Sequence, residues 1–411
     1  MNILFRRGRN AIIKADRYLK ETYLNHKLKY GLKNGSLIEL DIVKSEEIGI
    51  PVGVFKPETK ETIKIMRTFG VIDQGSFDIT YPQINLNVFN NVIVVSKTDF
   101  IISGQKVYWP KYFNYNFNKN IPLDCTLKWV NSTDNKVIVK DVKPSVVVDV
   151  AYSLLGVHAQ IWSHSLSEYY TKLSQLDKVL EIEKGIVNLL VPNYKDQQLK
   201  QIVYDYVRNY DRINIIPIED GCAVSVGKLY YMERPAAFTD HETYVAIGDN
   251  AQPKIVSDIL KRDLVEPLTR GMEDSSYPKK LFLVRRGFYR ALTNNDEVEE
   301  FFKTEGFYFL EPHKVTLEEK IKLFYNAEMI VGSYSSAFSN VLFCKPGTKA
   351  LLFSNYQRIF ETWLSMHYQH FDIDMMFVTG SDVKKENSAH TSFYISLDRI
   401  KAACNHIGII E

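Results

Sequence analysis

The stretch 280–353 constrains the fold of this chain more than any other. "KLFLV" (280–284) is a short apolar run, followed by "TNNDEVEEFFKTEG". There Asn294 stands as an N-cap, Glu297 completes a capping box, Val298, Phe301 and Phe302 share a face, and Gly306 terminates the helix. "FYFLEP" reads as a second strand closed by Pro312. "TLEEKIKLFYNA" repeats the device, with Thr316 and Glu319 as the box and Leu317, Ile321 and Phe324 on one side. "EMIVG" and "KALLF" (349–353) supply two further strands. Strands alternating with capped helices predict a parallel α/β sheet.

A second unit of the same kind precedes it. "GIVNLLVP" (185–192), a helix around 197–207 and "INIIPI" (213–218) form another βαβ pattern. Upstream, "WSHSLSEYYTKLSQLDKVL" predicts a helix with Leu166, Tyr170, Leu173 and Leu176 on one side. Between 48 and 150, β-branched and aromatic residues with Asn/Gly turns predict strands, and "PKIVSDILKRDLVEPL" (253–268) a helical connector. With 411 residues, the chain is expected to form two α/β lobes with a cleft between them.

Composition excludes several classes. A formal net charge of +2 does not imply a nucleic-acid partner. The four cysteines (Cys125, Cys222, Cys344, Cys404) lie far apart with no CxxC pair, which argues for a reducing compartment and against a structural metal. No apolar run has the length of a membrane span and no signal peptide is visible, so a cytoplasmic location is expected. Positive charge gathers at the start, with nine basic residues up to Lys33 against Asp16 and Glu21. "FRRGRNAIIKADRYLKETYL" sets Ile12, Ile13, Leu19, Tyr23 and Leu24 among them. That pattern suits either peripheral contact with an anionic membrane or a terminal helix packed on the first lobe with its charges in water.

The turn "GSYSSAFSN" (332–340) carries the chemistry of the second unit. Gly332 ends a strand, Ser333, Tyr334, Ser335 and Ser336 follow, and a helix is expected through Asn340 and Phe343. Small and hydroxylated residues before a helix N-terminus suit a phosphate or pyrophosphate cradle; they equally suit Ser335 or Ser336 as a plain helix cap. The turn is not GxSxG, GxGxxG or GxxxxGK[ST], so it supports neither a serine-hydrolase elbow nor a Rossmann fingerprint nor a P-loop. Arg285, Arg286 and Arg290 sit just past the first strand of the unit, as phosphate-binding arginines or as a solvated basic loop. His164 and Glu168, four apart on one helix, are either a general base with its orienting partner or a surface pair.

Taken in order, "HSLSEYYTKL" (164–173), "LVRRGFYRALTNN" (283–295) and "GSYSSAFSNVLFCKPGTKALL" (332–352) resemble the motifs of glycosyltransferase family 61, the group around capsular polysaccharide biosynthesis. Gly332, Asn340, Phe343, Pro346 and Gly347 match its last motif. The family's histidine falls on Tyr334, its next glycine on Ser335 and its late glutamate on Leu352, so the donor is held differently here, by Tyr334, Ser335 and Ser354, or activity is reduced. The resemblance implies a GT-B-like α/β fold of two Rossmann-like lobes. Its expected division is a basic helical extension (1–40), an acceptor-side lobe (41–250), a nucleotide-sugar lobe (251–380) and a tail (381–411) packing back on the N-terminal lobe. It implies an inverting transferase with no cofactor and no metal, using a nucleotide-sugar co-substrate and a glycan or lipid-linked acceptor. His164 and Glu168 would be catalytic. Arg285, Arg286, Arg290, Gly332, Ser333, Tyr334, Ser335, Ser336 and Asn340 would hold the donor. The alternative is a catalytically weak glycan-binding or scaffold homologue. One DxD, Asp372-Ile373-Asp374, is expected to lie beyond the sheet.

Overall fold

The computed structural model describes residues 26–71, 75–109, 127–131, 134–235, 252–286, 291–355, 369–382 and 391–410. Arg290, Cys125 and most of the basic extension lie outside them; 26–33 is helical.

An 11-stranded mixed sheet occupies the N-terminal part. Its long strand β1 (Ile84–Val95) is followed by β2 (Pro144–Ser153), β3 (Val187–Pro192), β4 (Ile213–Ile218) and β5 (Ala223–Met232). The spatial order is β4-β3-β2-β5-β1. The first four run parallel, and β5 pairs with β1 antiparallel. The parallel part matches the expected βαβ pattern, and the helix Gln197–Val207 is capped by Asp196, which accepts from the amides of Gln198 (2.8 Å) and Leu199 (3.3 Å). The rest corrects the expectation of a simple Rossmann-like unit. Only the short link 219–222 joins β4 to β5, and the sheet continues into antiparallel strands.

This sheet also curls. Val95, the last residue of β1, lies opposite Ala223, the first of β5. Yet Asp99, just past β1, pairs with Arg234, just past the far end of β5. A flat strand of that length would hold them roughly 30 Å apart. The ends meet around an apolar cluster that includes Phe89, Val92, Val226 and Tyr231.

The 7-stranded C-terminal sheet contains β6 (Lys280–Leu283), β7 (Tyr308–Leu310), β8 (Met329–Ser333), β9 (Lys349–Asn355) and β10 (Asp374–Asp382), parallel in the order β7-β6-β8-β9-β10. Alternation along the strands divides its faces. Phe282, Val331, Leu351 and Phe353 meet the helices Asn295–Thr304 and Leu397–Ile407 on one face. Leu281, Leu283, Ile330 and Leu352 meet the helix Leu317–Asn326 on the other. Thr316 caps that last helix, accepting from the Glu319 amide at 3.1 Å, while the Glu319 carboxylate takes the Tyr277 hydroxyl instead of closing a box. Asn294 makes no side-chain cap; its Nδ2 donates to Glu297 Oε2 and to the Ile395 carbonyl, both at 2.9 Å.

Two placements differ from expectation. The terminal helix packs mainly on the C-terminal sheet, where Ile400, Ala403 and Cys404 complete the apolar face under Phe353 and Val331, and it meets the N-terminal part at Phe69, whose carbonyl accepts from Arg399 at 3.0 Å. The DxD does not lie beyond the sheet. It leads into β10, with Asp374 paired to Arg67 and Asp372 in a left-handed turn at φ 56°.

Several contacts tie the two sheets together. The hairpin Thr59–Lys64/Ser76–Tyr81 leaves the first sheet, and the intervening strand Arg67–Thr68 pairs parallel with β10. Gln198 donates to the Val315 carbonyl. Lys320, 3% exposed, holds its ammonium 3.5 Å over the Trp162 ring.

Burial lowers the Lys320 pKa to about 8 from 10.5, only partly opposed by Asp196. Between these values the unfolded chain binds the proton and the folded chain does not, so stability rises with pH across that window. Lys320→Met should abolish this dependence. The wild-type minus variant difference in urea unfolding should climb from pH 8 to 10 by up to about 1.4 kcal/mol per pH unit. Parallel curves would show that no proton is lost from this site on folding.

Candidate functional site

The first half of the site lies past the carboxyl ends of the parallel neighbours β2 and β5. After β2 the chain enters a helical run over 162–182 whose winding changes three times: α over Trp162–His164, π over Ser165–Tyr169, 3-10 over Tyr170–Gln175 and α again over Leu176–Ile182. π-turns of this kind recur at functional sites. His164 is 23% exposed, and its Nδ1 bonds Oε1 of the fully buried Glu168. A carboxylate has no proton to give, so Nδ1 carries the hydrogen and Nε2 is the basic nitrogen. The His158 ring lies 4.6 Å from that of His164.

Glu168 is the hub of a buried charged group. Its second oxygen bonds Arg234, whose other terminal nitrogen lies 3.2 Å from Asp99 Oδ2. The Tyr169 hydroxyl donates to Asp99 Oδ1 at 3.4 Å. Lys172, one turn on from Glu168 and wholly buried, holds its ammonium 4.6 Å from the Tyr231 ring and 5.3 Å from that of Tyr169. Burial lowers its pKa to about 8, against the pull of Asp99, Glu168 and Glu233. Glu233 accepts from the Tyr108 hydroxyl, and burial raises its pKa.

The second half lies at the switch point of the C-terminal sheet. Strand order reverses between β6 and β8, and the helices following β6 and preceding β8 lie on opposite faces. The loops after these strands therefore bound a crevice of the kind that takes ligands in open α/β sheets. They hold Arg285 and Arg286 on one side and Tyr334 to Ser336 on the other. Arg285 donates to the Tyr334 carbonyl at 3.2 Å across the gap. Arg286, with a 57% exposed side chain, makes a two-pronged pair with Glu299, one bond at 3.0 Å.

Ser333 is buried at the end of β8, Ser335 is half-buried and Ser336 exposed. The expected α-helix is a 3-10 helix, Ser336–Phe343, and Ser335 before it makes no side-chain cap bond. Asn340 is 1% exposed and points inward, donating to the Ala337 carbonyl at 2.8 Å. Tyr334 is also buried, edge-on to Phe377 with ring centres 5.8 Å apart. The two halves adjoin, for the turn Trp162–His164 packs against the helix Ser336–Phe343.

The family model described as Glycosyltransferase 61 matches residues 149–351. That segment belongs to glycosyltransferase family 61. It runs from within β2 into β9 and takes in both halves of the site. No curated protein matches the chain.

Set on the family pattern, Tyr334 and Leu352 stand where a histidine and a glutamate are expected. Leu352 is the register partner of Phe377, so both replacements meet the same ring. The sequence reading missed Asp99, His158, Lys172, Glu233 and Arg234. A signal existed for the last two: "YYMERP" (230–235) places adjacent opposite charges directly after an apolar strand. Lys172 stands four residues after Glu168, a spacing that sets an acid and a base on one helix face. Asp99 becomes a neighbour only through the curl of the sheet.

Gly332 is required by close approach. Its φ is 153°, and a Cβ there would lie 2.7 Å from the Leu283 carbonyl oxygen of the neighbouring strand. Gly332→Ala should cost about 1–3 kcal/mol in chemical denaturation. Unchanged stability would show that β6 and β8 separate freely at the switch point.

Proposed function

We propose that the chain is an inverting glycosyltransferase that moves a sugar from a nucleotide-sugar donor to a glycan or lipid-linked glycan acceptor in surface polysaccharide synthesis. The observation that supports this reading is the packing of the turn Trp162–His164 against the helix Ser336–Phe343, which joins the half of the site holding His164 to the half holding the serine turn. In this reading the sheets act as a GT-B-like pair, with donor on the C-terminal and acceptor on the N-terminal side. His164 Nε2 takes the acceptor hydroxyl proton, and that oxygen attacks the anomeric carbon opposite the phosphate. The bond from carbon to the phosphate oxygen breaks, configuration inverts, and the nucleoside diphosphate leaves against Ser335, Ser336, Arg285 and Arg286. The imidazolium then releases its proton to solvent. The leaving charge is balanced by protein groups, without metal. The basic N-terminal segment provides peripheral contact with an anionic membrane, and the reaction is cytoplasmic.

His164→Ala should lower kcat by about 10²–10⁴-fold while nucleoside-diphosphate Kd changes by less than about twofold. A variant as active as wild type would remove His164 from the reaction. Arg286→Ala should weaken nucleoside-diphosphate binding by about tenfold or more, with Tm nearly unchanged because its pair with Glu299 is largely exposed. Unaltered affinity would leave Arg286 as a helix tether only. Transfer that vanishes with EDTA and returns with manganese would overturn the metal-free reading.

One observation favours a second reading, a catalytically weak glycan-binding or scaffold homologue. Tyr334 and Leu352 replace two polar family residues with groups buried on Phe377. Donor hydrolysis and transfer assayed against an acceptor panel separate the two: glycan binding without turnover supports the homologue.

A further inference from the structure

We propose that Arg234 and Asp99 are positioning residues for the base, fixing the Glu168 carboxylate so that it holds His164 as a neutral imidazole with Nε2 basic. The inference rests on the reading of His164 as the base. Neither residue bonds His164 in this arrangement; both act through Glu168.

The geometry carries the argument. Glu168 is fully buried, and its two oxygens face different partners, His164 Nδ1 on Oε1 and Arg234 on Oε2. Arg234 uses its two terminal nitrogens separately, one for Glu168 and one for Asp99 at 3.2 Å. A planar guanidinium therefore sets the spacing of two carboxylates, which a single ammonium cannot do. Asp99 is anchored in turn by the hydroxyl of Tyr169, the residue next to Glu168. The bracket thus closes on itself, joining the helical run, the segment after β1 and the segment after β5.

Charge balance gives the bracket a chemical consequence. Were His164 the only partner of a buried Glu168, the carboxylate would favour the imidazolium, which cannot accept a proton. Arg234 and Lys172 set two positive charges against Asp99 and Glu168, while burial raises the pKa of the third acid, Glu233, toward its protonated form; the cations thereby offset the pull of Glu168 on an imidazolium. The His158 ring also lies near the imidazole, at 4.6 Å between ring centres; Glu233 acts on Lys172, and Lys320 reaches Trp162 from the helix Leu317–Asn326. Sequence alone does not suggest the arrangement, since the curl of the first sheet is what brings Asp99 to Arg234.

The test reads the imidazole directly in the full-length chain labelled with ¹⁵N-histidine, using long-range ¹H–¹⁵N spectra, with His164→Gln serving only to assign the signal. Wild-type His164 should be the Nδ1–H tautomer at neutral pH. Arg234→Lys should give mixed tautomers. Asp99→Asn, which removes a negative charge and keeps the guanidinium, should lower the His164 titration midpoint by about half a pH unit or more. In transfer assays both variants should lose about tenfold or more in kcat with a shifted pH profile, while donor KM stays within about twofold. A wild-type Nε2–H tautomer, or an unchanged tautomer and midpoint in both variants, overturns the proposal and leaves a purely structural cluster. If Arg234→Lys does not fold, Asp99→Asn decides. A wild-type chain that transfers no sugar would defeat the functional reading, and the spectra would still settle whether Arg234 and Asp99 set the state of His164.

Discussion

One apolar cluster belongs to both sheets, and the rest of the molecule is arranged around it. Leu166, Tyr170 and Leu173 of the helical run, Ile259 and Leu260 of the connecting helix, and Val341 and Leu342 beside the serine turn are buried in the same cluster. Burying a large aliphatic or aromatic side chain is worth about 1.5–3 kcal/mol, so residues from three segments at one seam outweigh any single polar tie between the sheets. The seam fixes where the first turn of the run stands relative to the second switch point. It also lowers the local dielectric beside Glu168 and Arg234. That strengthens their bond and makes an unpaired charge there costly, which accounts for acids and bases being buried there together.

Local signals made the C-terminal unit legible. Alternating apolar runs, the Thr316 cap and the serine turn each depend on residues a few positions apart, and the strands fall where those residues put them. The capping boxes were less secure because tertiary partners competed: Tyr277 took Glu319, and Ile395 took Asn294. Single helix-face pairs were readable too, for His164 and Glu168 do bond. What the sequence hid was long-range. No local pattern announces that Asp99 meets Arg234, that a strand of Arg67–Thr68 joins the distant sheet, or that the terminal helix covers Phe353. Family resemblance located the matched segment 149–351, and the residues outside it were where expectation failed most.

The strand Arg67–Thr68 has a consequence for how the chain comes to exist. Its partner strand, entered at Asp374, is 307 residues further on. Ribosomes add about 5–20 residues per second, so this early segment waits roughly 15–60 seconds for the edge it will complete. Closing so long a loop adds only a modest entropic cost, because that cost grows with the logarithm of length. Delay is the larger burden. An exposed two-residue strand flanked by a hairpin is a short edge, and short edges are poor templates for pairing with other chains. Brevity of this kind lets the nascent chain carry an unfinished joint through synthesis. Final assembly then becomes a late event in which segments 307 residues apart are brought together.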